Sequence, residues 1–146
     1  MIMNRSAREL IVSAGVDVTV PSHDWWSYIL VCGAGGNVRY DHMAKIDYRQ
    51  HDSNQVGSNS GMMARLRRIK MLKEGRFKQW SEQHVCALQS MPELLTSENL
   101  RIFQLFQAAR TGAFPENIYA FLKSGIYRQT IGGNVGLAGA VLLRQL

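Results

Sequence analysis

A chain of 146 residues is long enough for one domain with a core of its own. With 46% hydrophobic and 19% charged residues its composition is globular, which excludes a disordered or low-complexity chain. The formal charge of +6 directs attention to anionic partners: a sugar nucleotide, a lipid diphosphate, an anionic membrane surface or nucleic acid. Cys32 and Cys86 stand far apart with no second Cys or His at ligand spacing, so they read as buried free thiols of a reducing cytoplasm. Met1-Ile2-Met3 is too short for a signal-peptide core. The longest weakly polar run, Val135 to Leu143, falls short of the roughly 20 apolar residues that span a bilayer.

In chain order, Ala7, Leu10, Ile11 and Ala14 have helical spacing, and Gly15 is placed to end that helix. Val16 to Val20 alternates apolar with polar residues and stops at Pro21, the pattern of a short strand. Ser22 is positioned to cap a helix that starts near His23, carries Trp26, Ile29 and Leu30 inward, and stops at Gly33-Ala34-Gly35-Gly36. Asn37 to Tyr40 and Lys45 to Tyr48 read as two further short strands. Beyond Gly57 the pattern turns helical, with stripes at Met62, Leu66, Ile69 and Leu72, at Phe77, Trp80, His84 and Leu88, and at Leu100, Phe103 and Phe106. Gly75 and Gly112 sit where helices commonly end, and Pro92 and Pro115 where a first turn tolerates proline. Ile118, Phe121 and Leu122 predict one more short helix, and the glycine-rich stretch from Ile131 to Leu146 a last, marginal one.

One ordered set of residues stands out: His23-Asp24-Trp25-Trp26, the Gly33-Ala34-Gly35-Gly36 turn, Tyr48-Arg49-Gln50-His51, then Asn54 and Gly57. This set resembles the second half of the catalytic core of family 2 glycosyltransferases, especially the rhamnosyltransferase-like members that build bacterial surface polysaccharides. The resemblance runs from about Asn4 to Gly57, with a weaker echo at Gly125-Ile126-Tyr127-Arg128-Gln129. It implies an α/β fold, the C-terminal part of a GT-A-like nucleotide-diphospho-sugar transferase, with short strands followed by a mainly helical extension. Residues 1–57 would form the acceptor-side part of the catalytic core, and residues 58–146 the helical extension. The donor-binding first half, with its acidic metal motif, would precede this segment or come from a separate partner chain.

Sugar transfer with inversion needs a base to take the proton of the acceptor hydroxyl as it attacks, and a carboxylate suits that task. The resemblance implies this role for Asp24, whose anion the positive end of a helix dipole would stabilise. Position alone favours a plain capping role for it. Trp25 and Trp26 point about 100° apart on a helix, so one is expected to fill the core and the other to face a cleft and stack on a sugar or base. By resemblance, His51 would complete a divalent manganese or magnesium site, given the acidic motif of the first half. A lone histidine is otherwise an ordinary structural residue. Arg49 would neutralise the leaving diphosphate, or else pair with Asp47 or Asp52.

Two readings follow. In the first, the chain is part of a metal-dependent inverting glycosyltransferase that passes a sugar from a nucleoside-diphosphate carrier to a glycan or lipid-linked acceptor. It would work in the cytoplasm or peripheral to the inner face of the membrane, with its helical tail as an acceptor or membrane-docking surface. In the second, it is a non-catalytic basic helical domain that binds nucleic acid, an anionic membrane or a partner protein through Arg65-Leu66-Arg67-Arg68-Ile69-Lys70. Those cations spread around most of a helix circumference, as on a solvated face, which makes nucleic acid the weaker fit.

Overall fold

The structure is a computed structural model that describes residues 1–15, 17–41, 43, 71 and 74–146. Six helices have both ends within them: α1 (Arg5–Ser13), α2 (His23–Gly33), α3 (Arg76–Gln89), α4 (Ser97–Thr111), α5 (Glu116–Ser124) and α6 (Ile131–Leu142), with a single 3-10 turn at Pro92–Leu94. Among the described residues there is no strand. The expectation of an α/β fold with short strands is therefore corrected to a helical one. Asp17–Val20 and Asn37–Tyr40 carry no ladder. The alternation at Val18 and Val20 has a simpler cause: both side chains pack on the helical core from an extended connection that needs no neighbouring strand. The expected strand at Lys45 to Tyr48, the boundary at residue 57, the Met62 to Leu72 stripe and the basic run from Arg65 lie outside the described residues.

Local chemistry explains the helix ends. Asn4 caps α1 by accepting from the Ala7 amide at 2.9 Å, and Arg5 pairs with Glu9 one turn on. The helix stops where Gly15 takes φ +87°. Ser22 occupies the position before α2 in an extended conformation, but its side chain makes no capping bond. At the other end of α2 the Gly36 amide donates to the Val31 carbonyl at 2.8 Å and the Gly35 amide to the Cys32 carbonyl at 3.0 Å, with Gly35 at φ +80°. That pair of bonds is a Schellman stop, so the glycine-rich turn is a helix terminator. Gly75 takes φ +68° immediately before α3, beginning that helix. Gly112 follows the end of α4. Thr96 and Thr130 cap α4 and α6 through the Asn99 and Gly133 amides.

One core joins the N-terminal and C-terminal helices. Ala14 at the end of α1, Trp26 and Leu30 of α2, Val85, Ala87 and Leu88 of α3, Met91 in the connection that follows and Phe103 of α4 form a single buried cluster. Leu10, Ile11, Ile29, Leu95, Leu100 and Phe106 close around it. Farther along, α4 packs extensively on α5, and α5 on α6. There the buried side chains are small or polar: Ala109, Asn117, Ala120, Ser124 and Val141. Asn117 is satisfied internally, donating to the Val141 carbonyl at 3.3 Å while its own oxygen accepts from the Ile118 amide. Arg110, a buried side chain, ties the two regions together by donating to Glu82 on α3 and to the Leu146 carbonyl at 3.1 Å.

Candidate functional site

The site predicted from sequence centres on the first turn of α2. The first helical bond there runs from the Trp26 amide to the Ser22 carbonyl, so the amides of His23, Asp24 and Trp25 precede it without intrahelical acceptors. Asp24 is exposed in this turn, where the helix dipole favours a carboxylate. Beside it the two tryptophans divide as their 100° separation requires. Trp26 is buried in the core. Trp25 remains 43% exposed, and its indole meets Trp80 edge to face with ring centroids 5.6 Å apart. Trp80 in turn meets Phe77 at 5.6 Å and near-perpendicular planes. Trp25 is thus braced by Trp80, itself backed by Phe77, while keeping exposed surface in the same turn as Asp24.

Arg49 and His51, the other two residues assigned to the site, lie outside the described residues. Among the described residues no three His, Cys, Asp or Glu side chains come together to hold a divalent ion. The two cysteines differ from expectation: Cys86 is exposed and Cys32 half-buried, both as free thiols.

Sequence reasoning placed His84 only as a member of a helical stripe. In the structure it is 9% exposed, and both ring nitrogens are buried without a hydrogen-bond partner. Its ring stacks on Trp26 with centroids 6.3 Å apart and planes 22° from parallel. Burial holds its pKa below the usual histidine value, favouring the neutral imidazole. His84 lines a cavity of about 340 Å³ between α2, α3 and α4, shared with Ile29, Leu88, Asn99, Phe103 and Phe106. The cue that separates it from its stripe neighbours Phe77, Trp80 and Leu88 is its polar ring at a position otherwise reserved for apolar side chains.

Asn99 fixes the far end of α2. Its Nδ2 donates to the carbonyls of Cys32 and Gly33 at 3.0 Å each, and the Thr96 amide donates to the Gly33 carbonyl at 3.0 Å. The helix that presents Asp24 and Trp25 is therefore held at one end by these bonds and along its length by Trp26 and Leu30.

No family model matches the chain, and neither a curated protein nor a solved structure matches it.

Proposed function

We propose that the chain is the acceptor-side part of an inverting glycosyltransferase that transfers a sugar from a nucleoside diphosphate to a glycan or lipid-linked acceptor. The observation that carries the reading is the juxtaposition of exposed Asp24 and half-exposed, braced Trp25 at the positive end of α2. The motif around them is the one that resembles this family. Asp24 accepts the proton of the acceptor hydroxyl while that oxygen bonds to the anomeric carbon, and the bond from that carbon to the diphosphate oxygen breaks with its electron pair. Trp25 offers an indole surface on which a sugar ring stacks, fixing the acceptor for in-line attack. Arg49 and His51 keep the proposed roles of charge neutralisation and metal ligation, with the acidic motif supplied by the donor half.

The test is Asp24→Asn in an enzyme that carries this segment with its donor half. A general base contributes about 10²- to 10⁴-fold, so kcat should fall by that range with the donor KM little changed. Normal turnover of the variant would defeat the assignment.

The second reading, a non-catalytic domain that binds a polyanion, is favoured by the distribution of charge. Residues 42–73 contain seven Lys and Arg against two Asp and Glu, whereas the rest of the chain contains ten against nine. Nearly all of the net charge therefore resides in the segment that includes Arg65 to Lys73. This reading predicts salt-sensitive binding lost on reversal of Arg65, Arg67 and Arg68 but indifferent to Asp24→Asn.

A further inference from the structure

Helix α6 is apolar on two sides, and only one of them is used. Val141 is fully buried, with Asn134 and Leu137 half-buried on the same side. At 100° per residue, Ile131, Val135 and Leu142 stand at i, i+4 and i+11 and share a second side, roughly 80° to 120° round the helix from Val141. They are 85%, 68% and 56% exposed, and Leu143 beyond them is also exposed. Tyr127 just before the helix is also open to solvent. A globular helix ordinarily turns charged and polar residues outward on such a face, and this one carries no charge between Ile131 and Leu143.

The charges around the face indicate what covers it. From Asn117 to Leu146 the sequence contains Lys123, Arg128 and Arg144 and no Asp or Glu. Arg128 sits at the N-terminal end of α6, where Asn134 accepts from its amide at 2.6 Å and donates to its carbonyl at 3.0 Å. Arg144 follows the C-terminal end, and both cations are exposed. An apolar strip with a cation at each end and a tyrosine near the first matches an anionic bilayer surface, where the apolar side chains enter the acyl boundary and Arg and Tyr stay at headgroup level. At 12 residues α6 can lie in that interface, and no helix among the described residues is long and apolar enough to cross it.

We propose that α6 is an interfacial membrane-docking helix, binding anionic phospholipid through Ile131, Val135, Leu142 and Leu143 with Arg128 and Arg144 as headgroup contacts. This surface stands independently of the glycosyl-transfer reading.

The experiment is co-sedimentation of the full chain with vesicles of phosphatidylcholine alone or mixed with phosphatidylglycerol. Binding is expected only to the anionic vesicles, falling as salt rises. Val135→Glu, which changes an exposed position and leaves the buried side intact, should weaken it by roughly tenfold or more. Arg128→Gln with Arg144→Gln should weaken it as well. Because Arg65 to Lys73 could also attract anionic lipid, the Val135→Glu variant is compared with reversal of Arg65, Arg67 and Arg68. Loss of binding in the Val135→Glu variant, with helical content unchanged by circular dichroism, supports the proposal. Binding that depends on the basic run and ignores Val135→Glu overturns it, as does the absence of binding to anionic vesicles. A dimer that Val135→Glu dissociates, without vesicle binding, also overturns it and assigns the face to a second copy of the chain.

Discussion

The imidazole of His84 lies nearly parallel to the indole of Trp26, with 6.3 Å between ring centroids and neither ring nitrogen paired. Such an arrangement suits the neutral ring and disfavours the imidazolium, which would be buried without a counter-ion. Unfolded, the same side chain titrates near 6.5.

The sign of the pH dependence follows. The lowered native pKa means that, as pH falls below the unfolded value, the unfolded chain takes up a proton that the native protein does not. Stability is therefore full above about 6.5, declines by at most about 1.4 kcal/mol per pH unit for this one proton, and levels off below the native pKa. His84→Phe should flatten this dependence between neutral and acid pH. Urea midpoints at several pH values check it, and an unchanged slope would mean that another group is responsible.

Leu30 on α2 has no exposed surface. Leu30→Ala should cost about 3 kcal/mol, within the range for buried leucines that leave a cavity. Chemical denaturation measures this directly. A cost below about 1 kcal/mol would mean that the side chains around Leu30 collapse into the space.

The Schellman stop of α2 predicts a graded response to alanine. A Cβ at Gly36 would lie 2.8 Å from the Val31 carbonyl oxygen, a backbone atom that cannot move without breaking the stop. One at Gly33 would meet only the Leu95 methyl at 2.6 Å, the end of a side chain that can turn aside. Gly36→Ala should therefore destabilise more than Gly33→Ala. Thermal denaturation of the pair decides it.

Arg144 takes φ +53°, a conformation that glycine adopts at lower cost than any other residue. Arg144→Gly should raise stability by up to about 1 kcal/mol, less any loss from the greater entropy of the unfolded chain. The melting temperature of the variant is the readout.

Several elements were legible because their signals are local. The spacing of Leu10, Ile11 and Ala14 identified α1, and the stripe of Leu100, Phe103 and Phe106 identified the buried side of α4. The strand reading of Val16 to Val20 does not hold over Asp17–Val20 because alternation reports burial on one side, and a connection that rests Val18 and Val20 on a helical core alternates for the same reason as a strand. Asp24 and the tryptophan pair could be placed from sequence because adjacent helical positions must diverge. The cavity at His84 could not, since it is assembled from three helices whose mutual packing no short motif encodes. Nor could the role of Asn99, whose partners Cys32 and Gly33 are remote in sequence.

That remoteness bears on the order in which the molecule forms. The last carbonyls of α2 receive the Asn99 donors from 66 and 67 residues farther along the chain. During synthesis, then, α2 emerges with its local stop but without these two bonds, which form only once α4 has arrived. Amide exchange in refolding should show protection at Gly35 and Gly36 appearing in step with α4, later than any protection within the first turns of α2.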